Sequence, residues 1–438
     1  PNERKVHKNS IPRLGGLLFA PAMSIGIVAG YLYLGVSVES SQLPVFRLST
    51  MILMAGLFLI YLIGVLDDLL GLSARVKFAV QLAASAFMPL CGLYVNNLYG
   101  LFGLWEIPFW AGSVLTVFLC LLIVNSVNLI DGIDGLSSGL SMFALSGFAA
   151  LFWQLGVESY TLVSLGLIGA VMAFFFFNVF GSERRGTKTF MGDTGSLVLG
   201  YTLAYLAIKY AMNNPMVLAP RPHGMTVVIT LLAVPVFDLV RVACMRLLNR
   251  KGIFHPDKTH VHHLALAAGF SMTRSLLLIL GLQLLIIGVN AVMSKWMVNI
   301  NLLSLVDVLI YGVFVVWLRW RRDRAQRNNS TDREAQCLLL LKTSARPFHR
   351  FTVHRRASEC RIESTTFRYK KLRTCLSAGA EFLLSEWETD TLLFVFVLIV
   401  FGFRLAVGRG RCGLVVGQFV FVDLLREFVF GCIFGRQF

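Results

Sequence analysis

The chain has 438 residues, 56% of them hydrophobic and only 15% charged, with a formal net charge of +16. That balance excludes an ordinary soluble domain, because a single globular core does not need repeated uncharged runs of about 20 residues, the length that crosses about 30 Å of hydrocarbon. An excess of Lys and Arg in such a chain marks the cytoplasmic loops of a membrane protein rather than a nucleic-acid surface, so no nucleic-acid partner is expected.

The sequence opens on Pro1 and a basic run, PNERKVHKNSIPRLGG, which carries Arg4, Lys5, His7 and Lys8 beside the first apolar stretch. An N-terminal piece that includes a further helix is expected to precede it. Apolar runs then predict about ten membrane-spanning helices, at roughly 14–36, 49–66, 76–96, 111–129, 139–155, 161–180, 196–212, 225–247, 275–294 and 302–318. The fold class is therefore all-α and polytopic. One alternating set of loops holds Arg75 and Lys77, Arg184 to Lys188, Arg246 to Lys258 and Arg319 to Arg327, whereas the other offers little beyond Arg47, Lys209, Arg221 and Lys295. The first set is assigned to the cytoplasm. The eight cysteines form no CxxC pair, and Cys91, Cys120 and Cys244 read as small apolar side chains. From about Asn328 the composition becomes mixed and basic, so residues 1–327 are expected to form a transmembrane catalytic domain and residues 328–438 an extension dispensable for chemistry.

Four polar interruptions land on the cytoplasmic side, and carboxylates beside a membrane are costly unless a metal, a water-filled cavity or a partner compensates them. Asp67 and Asp68 end the second span; neighbouring helical residues point about 100° apart, so one can face a phosphate or metal while the other binds nearby groups. Lys77 lies just inside the next span and either binds a phosphate across the short loop or snorkels to the headgroups. In NSVNLIDGIDGL, Asn125, Asn128, Asp131 and Asp134 recur every three residues and share a face as long as the segment stays helical. Their oxygens suit Mg²⁺, which takes few protein ligands and keeps its waters and substrate phosphates. In FMGDTGS, Asp193, Thr194 or Ser196 can cap the helix that follows, and Asp193 at a helix N-terminus can also hold a metal that bridges an anion. HPDKTHVHH brings His255, His260, His262, His263 and Lys258, a set that fits phosphate binding better than zinc because no thiolate or HExxH register accompanies it.

Taken together and in order, ERKVHKNSIPRLGG, GVLDDLLGLSARVK, NSVNLIDGIDGLSSG, KTFMGDTGS and PDKTHVHH resemble the polyprenyl-phosphate N-acetylhexosamine-1-phosphate transferase family, and within it the bacterial undecaprenyl-phosphate GlcNAc-1-phosphate transferases. The resemblance implies eleven transmembrane helices in the bacterial inner membrane, with the active site facing the cytoplasm. It implies transfer of N-acetylglucosamine 1-phosphate, or another N-acetylhexosamine 1-phosphate, from a UDP-sugar to polyprenyl phosphate with release of UMP. Residue by residue, Asn128 and Asp193 match ligands of Mg²⁺ (or Mn²⁺ in its place). Lys77, His260, His262 and His263 match diphosphate contacts, Asp131 and Asp134 the nucleotide region, and Asp67 and Asp68 the pair near the attacking phosphate. Asp67, Asp68 and Asp193 are the catalytic candidates. The expected partners are the UDP-sugar, polyprenyl phosphate, membrane lipids and a second copy of the chain in a homodimer. The sequence departs from the GlcNAc-type branch at Leu264, where arginine is frequent. A transporter or flippase is the rival class, and it should place its polar residues near the bilayer midplane rather than at one face.

Overall fold

The computed structural model describes residues 13–33, 48–214, 221, 223–250, 259–296 and 299–343. His255, Lys258 and the basic run before Pro12 lie outside them, as does the extension beyond Thr343. A 3-10 turn, Gly15–Leu18, leads into α1 (Phe19–Tyr33), followed by α2 (Leu48–Leu70), α3 (Ala74–Leu90) and a hairpin of β1 (Asn97–Leu101) and β2 (Leu104–Glu106). Then come α4 (Phe109–Ile130), α5 (Leu136–Gln154), α6 (Glu158–Phe180), α7 (Gly192–Ala211), α8 (Gly224–Leu231), α9 (Ala233–Leu248), α10 (Val261–Ala267), α11 (Met272–Met293) and α12 (Ile300–Thr343). The architecture is mostly helical, with the antiparallel β1–β2 pair at the end of α3 and α4 away from Lys77 and Asn128.

Among the described residues, 6 helices are long and apolar enough to cross a membrane, or 7 if the bent pair α8–α9 counts as one span. The chain is a multi-pass membrane protein. Most described residues of the apolar ranges read from the sequence are helical, although the range at 76–96 leaves its helix at Leu90, and not all ranges meet that test of length and composition. Helix α3 is 17 residues long and carries Arg75 and Lys77 in its first turn. Helix α7 is rich in Gly, Thr, Ser and Tyr, and almost every residue from Thr194 to Ala211 is buried.

That burial makes α7 the axis of the bundle, packed against α2, α4 and α5. A Cβ at Gly200 would come within 2.7 Å of the Val124 backbone, so glycine there lets α7 approach α4 closely. Helices α8 and α9 meet at a 77° bend. Pro235 lacks an amide hydrogen and its ring clashes with the carbonyl four residues back, which ends the helix at Leu231. Gln283 of α11 repairs the break: its amide nitrogen donates to Thr230 O (2.8 Å) and its oxygen accepts from Val234 N (3.0 Å).

The chain divides into two compact units, Pro1–Arg319 and Trp320–Phe438. In the second, the Arg324 guanidinium lies over the Trp320 ring, 5.5 Å from its centre. The extension read from residue 328 onward is described only as far as Thr343, where the chain is still helical.

Candidate active site

Helices α2, α3, α4 and α7 bring one end each to a common point. The FMGDTGS segment turns into α7 through Gly192, whose φ of 73° is a left-handed conformation that favours glycine. A side chain there would also strike the Arg13 carbonyl and lie 2.7 Å from Asp68 Oδ2. Helix α7 thus starts at Gly192, with Met191 as its N-cap and no side-chain cap of its own. Asp193, Thr194 and Ser196 fall inside the first turns, so none of them caps the helix as the sequence led us to expect. The cap comes from another helix: Asp68 of α2 accepts from Asp193 N (2.8 Å), Thr194 N (2.9 Å) and Thr194 Oγ1 (2.6 Å). Unpaired amides and a positive dipole end make an N-terminus a good seat for a carboxylate.

Asp67, one residue earlier, faces a different way. Its Oδ1 accepts from Leu72 N at 2.7 Å and its Oδ2 pairs with Lys77 Nζ at 2.8 Å. Lys77 turns inward rather than snorkelling, and its ammonium also reaches Asp193 Oδ1 at 3.4 Å. Asn128 Nδ2 donates to that same Asp193 oxygen and to Ser196 Oγ, both at 2.8 Å. This commits the amide nitrogen and leaves Oδ1 as the atom of Asn128 with which the side chain could hold a ligand. Asp67, Asp68, Lys77, Asn128 and Asp193 therefore form one connected network.

The run of four Asn and Asp residues does not keep a single helical face. Helix α4 ends at Ile130, Asp131 takes φ −73° and ψ 53°, and a turn follows to Gly135. Asn125 points away, donating to Gln81 Oε1 at 2.8 Å. Asp131 is exposed at this turn; the protein crowded around it, and then the charges of Asp193 and Asp134, push its carboxyl above the usual carboxylate range. Asp134 is held by Lys188 at 2.7 Å, and Asn178 fixes the turn by accepting from Gly135 N (2.6 Å) and donating to Thr189 O (2.8 Å).

The histidine loop packs on this turn. The His262 ring lies against Gly132, where a Cβ would overlap it. Burial, and then the neighbouring His263, push the His262 imidazole down to about 3, so it is a neutral ring at physiological pH. Its Nδ1 has no hydrogen-bond partner among the described residues. His260 stacks parallel to His262 with centres 5.9 Å apart, and the His263 ring centre lies 4.2 Å from that of His262, tilted by 47°. Leu264 turns into the apolar cluster formed with Ile130, Ile133, Val261 and Ile279, which accounts for an aliphatic residue there. Among the described residues, no three His, Cys, Asp or Glu side chains converge as a metal cage.

Sequence reading missed the supports: Asp238, Arg241 and Tyr311 beneath the histidines, Lys188 and Asn178 beside Asp134, and Ser196 beneath Asn128. Only Asp238 carried a signal, as a lone carboxylate inside an apolar run.

A polytopic helical membrane protein with a lysine, an asparagine and several aspartates gathered at one end of its helices is built to handle polyanions beside a bilayer. Residues 50–211 match the pattern of glycosyl transferase family 4. The chain is 35% identical over 287 residues to a probable undecaprenyl-phosphate N-acetylglucosaminyl 1-phosphate transferase of Bacillus subtilis, which covers 64% of this chain and 72% of that protein. It is 32% identical over 283 residues to the undecaprenyl-phosphate alpha-N-acetylglucosaminyl 1-phosphate transferase of Yersinia pestis, covering 64% and 72%. Identity to the similarly named protein of Escherichia coli O157:H7 is 31% over 322 residues, covering 71% and 82%. The chain belongs to glycosyl transferase family 4.

Asp68 gives this site its clearest structural test. Asp68→Ala leaves two amides and a hydroxyl without their acceptor, at about 1–3 kcal/mol for each group that stays dry. Thermal unfolding in detergent is expected to shift down, with Asp68→Asn intermediate because one acceptor oxygen remains. Equal midpoints for wild type and Asp68→Ala would show that the cap carries no weight.

Proposed function

We propose that this protein transfers N-acetylglucosamine 1-phosphate from UDP-GlcNAc to undecaprenyl phosphate, releasing UMP, at the cytoplasmic face of a bacterial inner membrane. The observation that carries the reading is the network joining Asp67, Lys77, Asn128 and Asp193 across four helices, together with relatives whose names state that activity. An oxygen of the lipid phosphate attacks the β-phosphorus of the UDP-sugar. A new P–O bond forms there, and the bond from that phosphorus to the bridging oxygen breaks, so the bridging oxygen leaves with UMP.

Two polyanions must meet in line, so the site has to cancel charge and fix geometry. Asp193 and the Asn128 amide oxygen are the donor set for Mg²⁺, a hard cation satisfied by few protein oxygens, and the ion supplies charge cancellation when bound. Lys77 and the His260/His262/His263 loop orient the diphosphate, with His262 contributing as a neutral ring. Asp131 and Asp134 border the nucleotide, Asp134 already tied to Lys188. Asp67 positions the acceptor phosphate. Asp68 acts through the α7 terminus, since its oxygens are engaged there. The reading of about ten spans with the basic loops inside supports a cytoplasmic orientation for this site.

The test is UMP release by the purified full chain, comparing UDP-GlcNAc, UDP-GalNAc and UDP-MurNAc-pentapeptide. Release should be greatest with UDP-GlcNAc, require added undecaprenyl phosphate and stop on chelation of divalent metal. Release that ignores the lipid acceptor would sink the proposal.

A further inference from the structure

Helix α9 carries a buried carboxylate that the transfer chemistry does not use. Asp238 is 1% exposed and surrounded by donors from its own helix, the histidine loop and α12. Its Oδ1 accepts from Arg241 Nη2 (2.7 Å), Val261 N (3.0 Å) and Tyr311 Oη (3.0 Å). Its Oδ2 meets His260 Nδ1 at 2.8 Å. Arg241 Nη2 also donates to Thr259 O at 2.5 Å, so the same pair grips the backbone on both sides of His260. A buried charge is tolerated only when paired and hydrogen-bonded, and here every partner belongs to, or braces, the start of the histidine loop.

We infer that Asp238 is a positioning residue that fixes the tautomer and orientation of His260, so that His260 Nε2 is the atom presented to the diphosphate. The inference rests on the proposed transferase reading for what His260 meets, but the tautomer itself does not. A carboxylate can only accept, so Nδ1 must carry the proton, and the opposite ring nitrogen is left for chemistry. The arrangement follows the general logic by which a buried carboxylate at one imidazole nitrogen sets the role of the other.

The geometry makes Asp238→Asn an informative change. Three donors converge on Oδ1, so the asparagine oxygen must stay there and its NH₂ must take the place of Oδ2. The NH₂ then donates toward His260 Nδ1, which has to become the acceptor, and the proton moves to Nε2. The substitution is nearly isosteric and leaves the Val261, Tyr311 and Arg241 contacts in place.

The experiment uses the purified full-length chain with histidine rings labelled with ¹⁵N, His260 being identified by the signals lost in His260→Gln. In mildly alkaline buffer, wild type is expected to show Nδ1 protonated and Nε2 unprotonated, and Asp238→Asn the reverse. UMP release by Asp238→Asn is expected to fall about 10- to 100-fold, the usual cost of losing such a support, and the unfolding midpoint is expected to fall as well, because Arg241 loses its buried counter-charge. An unprotonated His260 Nδ1 in the wild type overturns the inference, even if the variant does not fold. Full activity with an unchanged tautomer in the variant overturns it too, and leaves the transferase reading standing. The expected tautomers in a protein that releases no UMP would instead remove the transferase reading and keep the assignment of Asp238.

Discussion

Asp193→Asn is expected to lower UMP release by about 10²–10³-fold or more, the scale of losing a preorganised electrostatic contact at a reacting phosphoryl group, while the chain stays folded. The substitution keeps an oxygen where Asn128 Nδ2 donates at 2.8 Å, so packing at the α7 terminus is preserved. It removes the negative charge, and with it the donor that in the proposed reading pairs with the Asn128 oxygen to hold a divalent cation. Stability should fall modestly, because the substitution removes the charge that Lys77 Nζ meets at 3.4 Å. Burial works against the Asp193 charge, but hydrogen bonding and the Lys77 ammonium outweigh it and hold the carboxyl below the usual carboxylate range. Two measurements check this together: UMP release with saturating lipid acceptor, and thermal unfolding with and without Mg²⁺. Wild type should gain stability from added Mg²⁺ by mass action, and Asp193→Asn should gain less. Near-normal turnover in the variant would rule out Asp193 as the centre of the site.

The residues that meet in this site were legible in the sequence because membrane burial makes polar groups conspicuous. Asp67, Asp68, Lys77, Asn128 and Asp193 each interrupt or flank an apolar run, and a chain with ordered motifs at helix ends has few ways to leave them apart. What each carboxylate does was not legible. Nothing in FMGDTGS says that its helix is capped from α2, because a cap supplied across 125 positions of sequence leaves no local pattern. The three-residue spacing of NSVNLIDGIDG suggested one helical face, but spacing does not state where a helix stops. Gly132 and Gly135 let the chain leave α4 at Ile130, and that exit leaves Asp131 exposed at the turn and brings Asp134 to Lys188. The broken span at Leu232 was read as one run, since Pro235 marks a weak point without giving the angle. Arg241 and Tyr311 were invisible for a similar reason: nothing in the order of residues pairs an arginine midway along α9 with a tyrosine of α12 until a buried carboxylate lies between them.

Gly132→Ala carries the other large expected effect. A Cβ at Gly132 would occupy the position of the His262 ring, and that ring cannot step aside. It is 2% exposed, stacked on His260 and flanked by His263, and His260 is itself held by Asp238. Overpacking a filled site costs about 1–3 kcal/mol. The more serious consequence is for chemistry, because the glycine–imidazole contact sets the spacing between Asp131 and the histidine loop, the groups that the proposed reading sets around the nucleotide diphosphate. Activity is expected to fall about 100-fold or more, since small misplacements of positioning groups have effects of that order. A double-mutant cycle separates the two consequences. Combining Gly132→Ala with His262→Ala removes the overlap, so the unfolding midpoint should recover most of what Gly132→Ala alone lost. UMP release should not recover, because the loop then has no ring resting on the turn. Recovery of activity along with stability would show that His262 only fills space there; a Gly132→Ala protein as active as wild type would show that the turn and the loop are not in contact during turnover.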